Sequence, residues 1–277
     1  MRISVIIPTF NRLHVIQRAI DSVLRQTYRP EEVIVVDDGS TDKTVDFLRK
    51  QYSTEIHILR NTENQGVSAA RNLGINESRS DWIALLDSDD EWFPDKLNQQ
   101  VSALQQSPHA ICHTNEIWIR NGVRVNQMNK HRKHGGDIFE HCLEMCAMSP
   151  SSVLLNKSKI TLAGGFDESL PACEDFDLWL RLCTDTPVLY LDKPLLKKYG
   201  GHADQLSRKH WGMDRFRVQS LNSLLETNAL SASQRQLTIE TMLNKVRILH
   251  KGAIKHKNQP LINYCDELQQ KYLQTLP

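Results

Sequence analysis

Ile3, Ser4, Val5, Ile6 and Ile7 make a short, mostly apolar run that Pro8 stops, and the pattern predicts a buried strand. Over residues 15–24 the apolar positions change period: Val15, Ile16, Ala19, Ile20, Val23 and Leu24 recur at helical spacing. The unit then repeats. Glu32-Val33-Ile34-Val35-Val36 reads as a near-continuous buried strand and Asp37-Asp38-Gly39-Ser40 as a polar turn, with Thr41 or Asp42 able to cap a helix running through Lys50. Residues 56–59 form a third apolar segment, which leads through Asn64-Gln65-Gly66 into a helix of small residues over 67–75. The fourth strand, Trp82-Ile83-Ala84-Leu85-Leu86, runs into Asp87-Ser88-Asp89-Asp90, and Pro94 suits the first turn of a helix reaching Gln106.

Strands alternating with helices in this way predict a parallel sheet with helices on its faces. In such sheets the ligand crevice lies beyond the carboxyl ends of the strands, where Pro8, Asp38 and residues 87–89 all fall. The pattern then changes. Residues 110–120 read as a strand, Asn121-Gly122 as a hairpin turn, and Val123-Arg124-Val125 as its answer. From Phe216 onward the chain is polar and helical, ending in a helix over 261–273, and no low-complexity linker marks off an autonomous second domain.

Composition narrows the class. Of 277 residues, 40% are hydrophobic and 24% charged, which excludes disordered and fibrous chains. Lys plus Arg (34) nearly balances Asp plus Glu (33), so no overall field gathers nucleic acid, and a charged ligand must be held locally. No apolar run approaches a membrane span, and the first residues lack a signal-peptide core, so the expected place is the cytoplasm. Six cysteines without any C-x-x-C pair suggest reduced thiols. His141, Cys142 and Cys146 share a helical face that would suit a metal, although core packing is the favoured reading. The basic residues within 129–136 read as a solvated loop.

Two acidic groups carry candidate chemistry. Asp87, Asp89 and Asp90 crowd the mouth of a buried strand, a like-charge concentration that a hard divalent ion, Mg²⁺ or Mn²⁺, would neutralise. An acidic cap ahead of a helix is the alternative. Glu174-Asp175 precedes an amphipathic helix carrying Phe176, Leu178, Trp179 and Leu182, and there too capping stands beside a catalytic role.

Taken together, Pro8-Thr9-Phe10-Asn11-Arg12, Asp37-Asp38-Gly39-Ser40-Thr41-Asp42, Asn64-Gln65-Gly66-Val67-Ser68-Ala69-Ala70-Arg71-Asn72 and Leu86-Asp87-Ser88-Asp89 resemble glycosyltransferase family two. The likeness extends through Gly164-Gly165-Phe166-Asp167 and Cys173-Glu174-Asp175-Phe176-Asp177-Leu178-Trp179 and covers about residues 1–205. It implies an α/β GT-A fold: a Rossmann-like, mostly parallel sheet flanked by helices, with a helical tail. It further implies a transferase domain over 1–215, with a nucleotide-sugar half (1–106) and an acceptor half (107–215), then a helical extension (216–277).

By the same resemblance, Pro8, Thr9, Phe10, Arg12, Asp38 and Gly66 hold the nucleotide, with Asp38 accepting from a uracil N3–H. Arg71 faces the nucleotide, Asp87 and Ser88 border the ribose, and Asp89, with Asp87 and His202, holds Mn²⁺ or Mg²⁺. His202 lies in a loop, Gly200-Gly201-His202-Ala203-Asp204-Gln205-Leu206-Ser207, that would close over the diphosphate, ligating the metal or donating to phosphate. Asp175 is the first candidate for general base and Glu174 the second.

The resemblance thus implies an inverting, metal-dependent transferase that moves a sugar from a nucleotide-diphosphate donor, a UDP-sugar first, to a glycan or lipid-linked saccharide in cell-surface polysaccharide synthesis. Such an acceptor would place the protein peripherally at the inner face of the cytoplasmic membrane. A nicotinamide-dependent oxidoreductase should show Gly-x-Gly-x-x-Gly after the first strand, and a nucleotidyltransferase a glycine-rich basic phosphate loop; neither is present. A catalytically silent nucleotide-sugar or carbohydrate-binding protein of the same fold remains the alternative.

Overall fold

The computed structural model describes residues 1–201 and 210–274. Its first four strands, β1 (Ile3–Thr9), β2 (Glu32–Asp37), β3 (His57–Arg60) and β4 (Trp82–Leu85), lie parallel in the order β3-β2-β1-β4. The helices α1 (Ile16–Leu24), α2 (Thr44–Tyr52) and α3 (Val67–Glu77) connect them. The two-residue period of the strands divides their side chains between two cores. Ile6, Ile34, Val36, Ile83 and Leu85 belong to the core that includes Ala70 of α3, and Ile3, Val5, Ile7, Val33, Val35 and Ala84 to the one that includes Ile16, Ala19 and Ile20 of α1. Every residue of β1 is buried, as expected of a strand covered on both faces.

The second half adds β5 (Glu91–Trp92), α4 (Lys96–Gln105), β6 (Ile111–Arg120), β7 (Val123–Val125), α5 (Phe139–Glu144), β8 (Leu154–Asn156), α6 (Lys157–Leu162), α7 (Glu174–Leu182) and β9 (Leu189–Gly200). Among the described residues these strands continue the same sheet as β4-β8-β6-β9-β5, with β7 paired to β6 alone. β8 runs antiparallel to both β4 and β6, whereas β6 and β9 are parallel, with register shifts on either side of Asn115. The expected turn at Asn121-Gly122 closes the β6–β7 hairpin with positive φ at both residues, 50° and 77°.

The C-terminal helices α8 (Asp214–Leu225), α9 (Ala232–Lys255) and α10 (Gln259–Leu273) pack into the core that begins at Ile6, which runs on through Phe176, Leu221, Met242 and Tyr272. A capping box between Ser231 and Gln234 starts α9. Among the described residues no helix is long and apolar enough to cross a membrane.

Helix α2 begins at Thr44, after Lys43, and of the two expected caps it is Asp42 that accepts the Thr44 N–H, at 2.9 Å. Two local expectations change. β9 was not anticipated from the pattern, because Asp192, Lys193, Pro194, Lys197 and Lys198 interrupt its apolar positions. Lys133, read as part of a solvated loop, is buried: its Nζ donates to the Ala147 carbonyl and lies 3.5 Å from Glu116.

Candidate active site

Three loops meet beyond the carboxyl ends of β1, β2 and β4. Asn11, at φ 54°, staples the first two: its N–H donates to Ser40 Oγ at 2.8 Å, and its Oδ1 accepts from the N–H groups of Thr41 and Asp42. Pro8 and Thr9 end β1, Phe10 stands 39% exposed beside them, and the Arg12 N–H donates to Thr44 Oγ1. Gly39 is required by its surroundings, since φ is +76° and a Cβ would meet the Glu63 carbonyl carbon at 2.6 Å.

The buried Asp38 accepts from Asn61 Nδ2 (2.8 Å), the Gln65 N–H (3.0 Å) and the Gly66 N–H (2.8 Å). It therefore holds the loop that leads into α3. Its neighbour Asp37 accepts from the Ser40 N–H and lies 3.3 Å from Arg60.

Arg71 is buried and paired on two sides. Only 3% exposed, it donates from Nη1 to Glu174 Oε1 and from Nη2 to Asp87 Oδ1, each at 2.7 Å, with the Phe166 ring 5.0 Å from its guanidinium carbon. It bridges two carboxylates. The bridge brings the turn after β4 and the start of α7 together across 103 residues of sequence. Burial opposes the charge on Arg71, yet Asp87 and Glu174 hold it firmly protonated. Burial pushes the Glu174 carboxyl up and the neighbouring Asp175 adds to it, while Arg71 works the other way.

At the acidic turn the Ser151 hydroxyl accepts the Asp87 N–H and donates to Asp90 Oδ2. Asp90 also accepts the Tyr199 N–H, so both its oxygens serve the scaffold. Burial first, then Asp89 and Asp87, push its carboxyl well up. Ser88 is buried, and the Asp89 carbonyl accepts from Arg18, whose guanidinium stacks 3.6 Å over Tyr199. Asp87 and Asp89 thus remain the half-buried members of the turn. Two carboxylates on one turn are the donor set of a hard divalent ion that completes its shell with water and phosphate oxygens. Among the described residues no group of three or more Asp, Glu, His or Cys is gathered to hold a metal, and His202 lies outside them.

Glu174 and Asp175 open α7, directly after Cys173, which takes a left-handed conformation at φ 64°. Cys146 Sγ lies 3.0 Å from Asp175 Oδ2; burial, reinforced by Asp175, pushes the thiol well up and keeps its proton on sulfur. Both residues line a cavity of about 110 Å³ with Glu116, Lys133, Ser149 and Lys198. Glu116 accepts from Ser149, Trp118 and Lys133. Although burial works against it, Lys133, Lys198 and these hydrogen bonds hold its carboxyl down at about 2. Cys142 is fully buried among apolar side chains, consistent with core packing.

Glu116, Cys146, Ser149, Ser151 and Lys198 carry no motif that would have marked them. The one usable signal was the Ser149-Pro150-Ser151-Ser152 cluster, whose Pro150–Ser152 residues form a 3₁₀ turn beneath the acidic loop.

This arrangement of sheet, crevice and acidic turn is that of a GT-A protein. Crystal structures of S. aureus TarS residues 1–349 share it: the complex with UDP-GlcNAc aligns with a TM-score of 0.78 at 19% identity, covering 100% of this chain and 82% of that one. The complex with UDP gives a TM-score of 0.69 over 93% of this chain and 75% of that one, again at 19% identity. The chain belongs to Glycosyl transferase family 2, whose model matches residues 4–158. A relative from Escherichia coli, the UDP-Glc:alpha-D-GlcNAc-diphosphoundecaprenol beta-1,3-glucosyltransferase WfgD, is 31% identical over 186 residues, 67% of this chain and 71% of that protein. An uncharacterized glycosyltransferase of Rickettsia felis is 30% identical over 71% of this chain and 32% of its own length. The chain spans about a third of the length of the first rickettsial relatives it matches.

Proposed function

We propose that this protein is an inverting glycosyltransferase that moves a sugar from a UDP-sugar to a hydroxyl of a lipid-linked saccharide in the building of a surface polysaccharide. The observation that carries the reading is the Arg71 bridge, which sets Asp175 beside the turn bearing Asp87 and Asp89. In a single displacement Asp175 takes the proton of the acceptor hydroxyl as its oxygen bonds to the anomeric carbon. The bond from that carbon to the diphosphate oxygen breaks, and both its electrons leave with UDP. Glu174 is held by Arg71 and is thereby withheld from acting as a covalent nucleophile, which supports inversion. Asp87 and Asp89 would hold Mg²⁺ or Mn²⁺, which when bound supplies positive charge to the departing diphosphate.

The names of the E. coli relatives WfgD and WfaP, both UDP-Glc:alpha-D-GlcNAc-diphosphoundecaprenol glucosyltransferases, support a lipid-linked acceptor. One surface supports a peripheral place at a membrane. Residues 117–136 contain the exposed cations Arg120, Arg124, Lys130 and Arg132 and no carboxylate, in a chain whose net charge is only +1. Val123 and Met128, 64% and 58% exposed, stand among these cations.

The test is a panel of nucleotide sugars offered with diphosphate-linked saccharide acceptors and Mg²⁺ or Mn²⁺, with the product's anomeric configuration read by proton NMR. We expect a β-linked product from an α-linked donor, and UDP binding that weakens in EDTA. A retained configuration would overturn the single displacement. Tight nucleotide-sugar binding without turnover would instead favour a silent binding protein.

A further inference from the structure

Lys198 is a cation whose hydrogen bonds the described residues do not use. Lys197 and Lys198 are successive residues of β9 and point to opposite faces of the sheet. Lys197 donates to Glu91 at 3.1 Å and is thereby accounted for. Lys198 pairs in register with Trp118 of β6 and lines the cavity that holds Asp175 and Cys146.

Three carboxylates, Glu116, Asp90 and Asp87, surround Lys198 closely enough to hold it protonated against the effect of burial. Each is already committed elsewhere. Glu116 is taken by Ser149, Trp118 and Lys133, Asp90 by Ser151 and the Tyr199 N–H, and Asp87 by Arg71. Among the described residues Lys198 forms neither a hydrogen bond nor an ion pair within 4.0 Å. A charged, half-buried ammonium with three unspent N–H groups suits an oxyanion. Its neighbours place that oxyanion between the acidic turn and the base.

We propose that Lys198 binds the diphosphate of the donor, stabilising the charge that collects on it as the sugar leaves. This inference rests on the reading of the donor as a UDP-sugar. In that scheme the carbon–oxygen bond breaks between Asp175 and the acidic turn, and the electron pair moves onto a phosphate oxygen within reach of the ammonium. Hydrogen bonds to charged groups of this kind are each worth about ten- to a hundredfold in affinity.

The test compares UDP with uridine, which lacks phosphate, by calorimetry or NMR titration at fixed Mg²⁺ concentration. Lys198→Met should weaken UDP binding about ten- to a hundredfold and leave uridine within about twofold, while Lys198→Arg recovers most of the loss. Thermal unfolding of each variant without ligand reports on the scaffold, and Lys198→Gln carries the same comparison should the methionine variant not fold. Unchanged UDP affinity would overturn the assignment. So would an equal loss for UDP and uridine, which would make Lys198 a structural neutraliser of Glu116 and Asp90. A weaker KM for acceptor with UDP affinity intact would move the cation to the acceptor and also overturn it. Failure of the wild-type protein to bind UDP would overturn the donor reading itself, a result distinguishable from all of these.

Discussion

Asp175 and Glu174 are adjacent, yet their surroundings give them different capacities. Glu174 is buried and tied to Arg71, whereas Asp175 borders the cavity and meets a thiol that gives up its proton with difficulty. Asp175→Asn should therefore keep UDP affinity close to wild type while turnover falls by at least about a hundredfold, measured by calorimetry and product formation in parallel. Glu174→Gln should weaken its pairing with Arg71 and lower Tm. A second residue, remote from this chemistry, offers a test of buried charge. Lys96 is fully buried, donates to Gln100 at 2.7 Å, sits 4.0 Å over the Trp92 ring, and is pushed by burial down to about 7. Between about pH 7 and 10.5 the unfolded chain holds that proton while the folded one has released it, so this group adds stability as pH rises through that window. At lower pH both states carry the charge and the full cost of burying it is present. Lys96→Met should raise stability at pH 6 by on the order of a few kcal/mol, seen as a higher Tm, and flatten the rise above pH 7, followed by thermal unfolding at several pH values.

At the scale of elements, α3 lies close against the sheet because Gly74 has no side chain. A Cβ there would come within 2.5 Å of Ile6 Cγ2 and 3.0 Å of Val36 Cγ2. Gly74→Ala gains about 1 kcal/mol of helix propensity and loses about 1–3 to overpacking, so a net fall of a few degrees in Tm is expected by calorimetry. The same elements show where the sequence was informative. β1, β2 and β4 are covered on both faces and announce themselves as unbroken apolar runs, and the turns after them carry the acidic residues that drew attention. β9 faces the site with Lys198 and the opposite side with Lys197, and Pro194 and Asp192 break its alternation, so pattern alone did not reveal it. Arg71 was recognised, but its bridge to Glu174 was not. Its motif indicates that the arginine matters, while its partner Glu174 lies 103 residues away, a separation that spacing does not encode. Glu116 and Cys146 act through neighbours from other elements, and a linear reading has no means of assembling them.

For the whole molecule, a near-neutral chain carries its positive charge unevenly, concentrated around the β6–β7 hairpin and the turn that follows it. Each exposed Lys or Arg near an anionic bilayer contributes about fivefold to partitioning, so Arg124→Ala with Lys130→Ala should reduce sedimentation with phosphatidylglycerol vesicles by about 25-fold. Equal binding of the wild type to phosphatidylcholine vesicles would overturn an electrostatic attachment. The crevice itself has a consequence drawn from the end of β1. Even-numbered residues of that strand bond toward β4, as the carbonyls of Arg2 and Ile6 do in accepting from Trp82 and Leu86. The ladder between the two strands ends at Ile6 and Leu85, so beyond it the β4 side of β1 is not paired into the sheet among the described residues. The next even position is Pro8, which has no N–H to offer. Proline at that spot does what it does on outermost strands elsewhere: it denies an intruding backbone its hydrogen bond. The β1–β4 ladder thus resists being carried further by a backbone that needs that N–H.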